Sequence, residues 1–444
     1  MLRADEINRI LVKQALRKGA TDALAITDEV NKKMIRFSNN DITVSKLFSE
    51  RSTLLHVRIK ARKSQSSTTI LSRRALEQLV EKTIYMARNS PEGDVYAPLP
   101  KGPFKYDKTL LKGGKLDYSD EELVDFVQQA VNAAVEEGCS RVAGTLVYQT
   151  WTSYLKSSSG VSAKASGASI EISVRAFANG DATGHFVSVA ADKKDFTPVE
   201  AGRKAGEIAR ISKNPTPGEP GEYEAILGPM IFADLVEEVG TAASAFEVDT
   251  GLSFLTDRLG EAITSEKFSL IDDPTLAGTY GATPFDHEGV PTRRNTIIEK
   301  GTLRTYLHNS TTAKKFNTET TANAGLISPS PFNLIIEPGS KNFEELISNV
   351  DKGIWITNDW YLRYQNMRSG DFSTIPRDGM FLIRNGSIEK PIKELRISDN
   401  MLRIFRNILE LSRERYWITW WEVDTPVLAP YAHVSSLNFM KSTL

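Results

Sequence analysis

Residues 212–221, SKNPTPGEPG, hold three prolines and two glycines in ten positions. Proline has no N–H to give a ladder and a locked φ, so neither a helix nor a central strand can run through this stretch. It is the best domain boundary in the sequence, and the patterns on its two sides differ. A length of 444 residues allows two to three domains. The expectation is an N-terminal α/β domain over 1–215 and a C-terminal mainly-β domain over 216–444.

Before the boundary, Ile7, Ile10, Leu11, Ala15 and Leu16 recur with helical period over 6–18, and Gly19 follows where a C-terminal glycine belongs. Strand-like runs are predicted at 22–28, 33–38, 41–48, 51–60 and 65–70, with Asn39-Asn40 as a turn. Ser72 opens a helix over 71–88. Residues 90–115 read as a surface connection, and Ser119 caps a helix over 121–137. Strands at 141–150, 151–157, 168–178 and 181–190 and a helix at 198–211 complete an α+β unit.

Beyond the boundary come a strand at 223–227 and a helix at 229–245 that starts on Pro229. Short strands follow at 268–271, 292–299, 303–309, 333–337, 353–357, 362–366, 371–373, 380–384 and 387–388, then a helix at 399–411. This cadence predicts a mostly antiparallel sheet, curved or closed to limit its edges. The aromatic-rich end, 417–444, is expected to be tied into that sheet.

Composition excludes more than it assigns. The formal charge is -1, and the basic clusters Arg58-Lys60-Arg62-Lys63 and Arg73-Arg74 are short, which points away from nucleic acid. No run approaches the ~20 apolar residues of a membrane span. The N-terminus lacks a signal-peptide core, and the single cysteine, Cys139, fits a reducing compartment, so a cytoplasmic location is expected. No phosphate loop and no G-x-S-x-G occurs.

Asp286, His287 and Glu288 stand in consecutive positions beside Gly289 and Pro291. A zinc peptidase helix places two histidines on one face, but no two of His56, His185, His287, His308 and His433 lie within one helical turn. A site could still assemble from Asp286, His287, Glu288 and His308 on separate strands. The plainer expectation is a hairpin near solvent, in which Asp286 and Glu288 hold the turn backbone and pair with Arg293 or Arg294.

Several segments together resemble the TldD/PmbA family, whose members were once described as modulators of DNA gyrase and are read as metallopeptidase subunits. The likeness rests on Ser158-Ser159-Gly160-Val161, on the run from Phe285 through Asp286, His287, Glu288, Gly289, Val290 and Pro291 to Thr292, and on Glu299-Lys300-Gly301-Thr302-Leu303. It extends through Ser369-Gly370-Asp371-Phe372-Ser373 and through the run from Ile383-Arg384-Asn385-Gly386 to Lys393, followed by Asn400. The resemblance implies two branches that pair. One carries a His-Glu-x-x-x-His helix and a late cysteine that bind the metal, and the other lacks them.

Here the matching helix reads Val236-Glu237-Glu238-Val239-Gly240-Thr241, with Glu237 retained but Val236 and Thr241 in the histidine positions and no late cysteine. Neither side chain can stand in for imidazole. The resemblance therefore implies the PmbA/TldE branch: no cofactor in this chain, zinc in a TldD-like partner subunit, and a hetero-oligomer acting on unfolded or short peptides. Asp286, His287, Glu288, Arg293 and Asp371 become candidate peptide or interface contacts. The alternative is a homodimeric peptide-binding or regulatory protein without a proteolytic role. An autonomous hydrolase using His287 and Glu288 is a third reading.

Overall fold

The computed structural model describes residues 2–114, 116–180 and 182–442. The first half contains α1 (Ala4–Arg17), β1 (Asp22–Ser38), β2 (Asp41–Ile59), β3 (Arg62–Thr68), α2 (Arg73–Asn89), α3 (Asp120–Glu136), β4 (Arg141–Ser157), β5 (Ser162–Phe177), β6 (Thr183–Ala190) and α4 (Pro198–Ile211). Its strands form one antiparallel sheet in the order β3-β2-β1-β4-β5-β6. Local chemistry explains the joints. Asn39 and Asn40 both adopt positive φ in the β1–β2 turn, the left-handed pair a tight hairpin needs. Ser119 and Glu122 cap each other's end of α3 reciprocally.

Two packing units cover this sheet. Ile7 and Leu11 of α1 and Leu76 and Val80 of α2 are fully buried with Ala23, Ala25, Leu55 and Val57 of the strands. Helices α3 and α4 approach so closely that a Cβ on Gly202 would stand 2.1 Å from the Ala130 carbonyl oxygen. Only glycine permits that contact.

The second half contains β7 (Thr216–Pro217), β8 (Gly221–Leu227), α5 (Pro229–Ala242), α6 (Ala245–Asp249), β9 (Leu270–Asp272), β10 (Asn295–Glu299), β11 (Thr302–Leu303), α7 (Ser310–Lys315), β12 (Leu334–Ile336) and α8 (Phe343–Ser348). It ends with β13 (Lys352–Asn366), β14 (Asp371–Arg384), β15 (Ser387–Lys393), β16 (Leu395–Asn400), α9 (Met401–Arg406), β17 (Ile408–Trp420) and β18 (Val423–Lys441). Strands β18, β8, β13, β14 and β16 pair in succession, and β16 pairs back to β18, so the ring closes. The expected closed sheet is present, antiparallel except at the β8–β13, β12–β18 and β7–β15 pairs. Helix α5 is the apolar plug of this half: Met230, Ile231, Phe232, Ala233 and Val236 are wholly buried.

Several sequence expectations need correction. The runs predicted at 22–28 and 33–38 are one strand, β1, and those at 41–48 and 51–60 are one strand, β2. The polar residues between them sit in the solvated middle of each strand, between two buried stretches in β1, so polarity marked exposure rather than a break. Strands β4, β13 and β14 also each join two predicted strands, and in β13 and β14 the intervening polar residues Asn358, Asp359 and Thr374 are buried within the sheet. The predicted strand at 303–309 shrinks to β11. The helix expected at 399–411 ends at Arg406, because Asn407 caps it and the chain turns into β17. Residues 90–114 are a strap, not a solvated connection: Ala97, Leu99 and Leu110 are buried, while Lys115 and Asp181 lie outside the described residues.

The two sheets share one core. Ile172, Val174, Phe186 and Ala205 from the first half belong to the same buried cluster as Leu227, Phe232, Ile354 and Phe405 from the second. Arg175 bridges to Asp378 at 2.9 Å, and the Asn358 amide meets His185 Nδ1 at 3.0 Å. The proline-rich stretch is itself tied down, since Thr216 and Pro217 pair with Ile392 and Lys393.

Candidate functional site

Residues 285–291 form a tight turn closed by the Phe285–Pro291 bridge. Asp286 builds it from inside: Oδ1 accepts the backbone N–H groups of Glu288 and Val290, both at 2.9 Å, and Oδ2 accepts that of Ala324 at 3.0 Å. Burial and the neighbouring Glu288 charge press the Asp286 pKa upward, and the three N–H donors oppose them. Gly289 has φ +80°, and a Cβ there would lie 2.6 Å from Val161 of the first half. Tyr106, on the strap, donates to the Gly289 carbonyl at 2.8 Å.

Glu288 is wholly buried and is answered from three directions. Arg58 Nη2 of β2 donates to Oε1 at 2.6 Å, the Ser310 hydroxyl donates to Oε1 at 2.5 Å, and the Ser310 N–H donates to Oε2 at 2.9 Å. Arg58 in turn uses Nε on His56 Nε2 at 3.3 Å and Nη1 on the Ala97 carbonyl. The predicted pairing of Asp286 and Glu288 with Arg293 or Arg294 does not form. Arg294 reaches Asp273 at 3.9 Å, Arg293 is exposed, and Glu288 takes its partner from 230 residues away. His287 alone of the three turns outward. Its backbone N–H is held by the Ala324 carbonyl at 2.9 Å.

The turn does hold the backbone, as expected, but it is not near solvent at its acids. Asp286 and Glu288 are both 0% exposed, whereas His287 and Arg293 are exposed. Asp371 belongs to a separate turn, where it accepts from Ser369 at 2.5 Å and Asn400 at 2.8 Å. His308 is likewise buried, with Nδ1 3.3 Å from the Thr312 hydroxyl.

The second region is the face of α5. Val236 is 0% exposed in the core, whereas Thr241 is exposed. Five residues of α-helix rotate a side chain by about 140°, so these two positions diverge. A valine, which has no donor atom, and a lone threonine hydroxyl do not fit a zinc ion. Among the described residues no group of three or more His, Cys, Asp or Glu side chains is arranged to hold a metal. Glu237 instead accepts the backbone N–H groups of Asp424, at 3.1 Å, and Thr425, pinning α5 to the start of β18. Burial pushes its carboxyl up to about 7.

One turn earlier on α5, Asp234 lies 2% exposed against Asp359 of β13. Asp234 Oδ2 and Asp359 Oδ1 find no donor, while Asp359 Oδ2 accepts from Thr374 at 2.7 Å. Two facing carboxyls cannot both ionise cheaply. Burial raises both, Asp359 to about 7, and Glu238 and Glu422 add to the negative field on Asp234. Sequence reasoning missed this pair. The available signal was an aspartate inside the apolar run PMIFADLV. No local signal linked Glu288 to Arg58.

Residues 220–441, half of the chain, match the family described as the PmbA/TldA metallopeptidase C-terminal domain. A metalloprotease of Methanothermobacter thermautotrophicus is 32% identical over 221 residues, 47% of each chain. The metalloprotease PmbA of Escherichia coli O157:H7 is 30% identical over 203 residues, 44% of this chain and 43% of the relative. These matches span about half the length of those relatives. Over nearly the whole length, the fold is that of TldE from Thermococcus kodakarensis, with TM-score 0.83 at 20% identity, covering 98% of this chain and 99% of the other. A proposed modulator of DNA gyrase from Thermotoga maritima shares it as well, with TM-score 0.83 at 24% identity, covering 98% and 100%.

Proposed function

Since the chain belongs to the TldD/PmbA family, we propose that it serves as the subunit without a metal centre of its own in a peptidase assembly of that type, beside a TldD-like partner that bears the zinc. The substrates in this reading are unfolded or short peptides. One observation carries it: on α5 the two positions that resemble the family's ligand pair hold a core valine and an exposed threonine, neither of which offers an imidazole. Zinc in the partner would supply an acidified water. This chain would supply walls and contacts.

His287 and Arg293 are the groups suited to such contacts, because both are exposed and rooted in a turn that buried ion pairing makes rigid. Asp371 is offered as a contact at its own turn. The test is purification of the chain alone and together with a TldD-type partner, followed by zinc content and cleavage of an unfolded peptide. Stoichiometric zinc in the pair alone, with cleavage by the pair alone, is expected. Zinc and cleavage in the lone chain would overturn the reading. A stable homodimer that ignores the partner would favour the stand-alone binding role. In the autonomous-hydrolase case His287→Ala would abolish cleavage by the isolated chain, and no such cleavage is expected.

A further inference from the structure

Far from the Asp286 turn in sequence, α4, β17, β18, α8 and β13 enclose a cavity of about 490 Å³. That volume suits a small ligand or a side chain with part of its backbone. Its wall is a continuous series of rings. Trp355 packs on Phe343 with centroids 4.8 Å apart, Phe343 on Tyr431 at 4.6 Å, Tyr431 on Tyr416 at 6.4 Å, and Tyr416 on Phe186 at 5.4 Å. Into this wall the chain places one of its own ammonium groups. Lys204 Nζ stands 4.7 Å from the Tyr416 centroid and 5.4 Å from that of Phe186. Ring faces attract cations.

The polar groups of the cavity are left over rather than matched. Arg203 is paired with Glu207 on α4, so it does not neutralise the remaining acids. Glu344 has no ion pair among the described residues, and Glu414 meets Arg413 only through Oε1, at 3.5 Å. Glu414 Oε2 is buried without a donor, and Trp355 Nε1 is buried without an acceptor. The charge field agrees: burial, then Tyr416 and the carboxylates Glu344, Glu207 and Glu414, raise the Tyr431 phenol far above its usual range. A partly exposed Glu414 carboxylate and an electron-rich wall meet in one cavity, with Glu414 Oε2 and Trp355 Nε1 buried behind it.

We infer that this cavity binds the basic side chain of a peptide, its ammonium displacing that of Lys204 over the rings and reaching the partly exposed Glu414 carboxylate. Lys204 is then a built-in competitor. The choice of a peptide as ligand rests on the peptide-handling role proposed above. The readout is binding by the lone chain, so its failure is distinct from failure of partner-dependent cleavage.

The probe is a fluorescein-labelled, end-blocked pentapeptide with one central lysine, titrated against the full chain by anisotropy, beside the same peptide with norleucine. The lysine peptide should bind about tenfold tighter than the norleucine peptide. Glu414→Gln should weaken lysine binding about fivefold, and Lys204→Met, which removes the competing ammonium and keeps the stem, should tighten it about fivefold. Equal binding of the two peptides overturns the inference. So does Lys204→Met that leaves the lysine affinity unchanged or weaker.

Discussion

The turn at Asp286 and the face of α5 both bury carboxylates, but they treat them in opposite ways. At the turn every acidic oxygen has a donor: three backbone N–H groups on Asp286, and Arg58 with Ser310 on Glu288. At α5, Asp234 and the facing Asp359 of β13 each keep an oxygen with no donor other than the facing carboxyl itself. A satisfied buried charge specifies geometry, and an unsatisfied one makes stability depend on protonation. The first region therefore behaves as a fully hydrogen-bonded clasp between the halves of the chain, with its Asp286 carboxyl pushed up to about 8, and the second as an under-satisfied carboxyl pair between helix and ring.

The largest effect should come from opening the clasp. Glu288→Ala leaves Arg58 buried, 4% exposed at its side chain, without its counter-charge. The expected cost is about 3–5 kcal/mol by urea denaturation, because breaking a buried pair strands the other charge. The double variant Arg58→Met with Glu288→Leu should recover most of that loss. A cost below about 1 kcal/mol for Glu288→Ala would place the clasp among ordinary surface pairs.

Gly289→Ala should cost about 2 kcal/mol, since its φ of +80° and the 2.6 Å approach to Val161 both oppose a methyl group. The same denaturation series reads it. No change would mean that the turn does not press on the first half.

The carboxyl pair at α5 is tested by pH. The Asp359 carboxyl moves from an ordinary 3.8 to about 7 in the folded chain. A raised folded value means that its contribution is fully present below about pH 4 and is lost as the pH climbs through about 7. Asp359→Asn cannot titrate. It should melt about 3 °C higher than the parent at pH 8 and flatten the fall in Tm between pH 5 and pH 8. A Tm difference independent of pH would mean that the Asp359 carboxyl keeps an ordinary range in the folded chain.

Thr241→His should have the smallest effect, within about 0.5 kcal/mol, because the site is exposed. It should also bring no bound zinc by elemental analysis, since Val236 offers no second ligand. Zinc in that variant would mean that neighbouring acids complete a site around a single imidazole.

Much of the fold was legible in the residues. Gly19, Ser72, Ser119, Pro198 and Pro229 mark helix ends within a residue or two of where they lie, because capping acts between neighbours. Strand ends were less legible, since the solvated middle of β1 or β2 looks like a loop to any reading of polarity. At the candidate site the Asp286 turn was anticipated, and its partners were not.

What the sequence by itself determined is whatever depends on residue identity or on contacts a few positions apart. That covers the caps, the Asn39-Asn40 turn, the family motifs, and the valine and threonine where two imidazoles would be needed. Tertiary structure alone decided that Glu288 answers to Arg58, that Asp234 meets Asp359, and that the two halves share one core. Burial and charge pairing depend on which distant segments fold onto each other, and a local pattern carries no record of a partner 230 residues away.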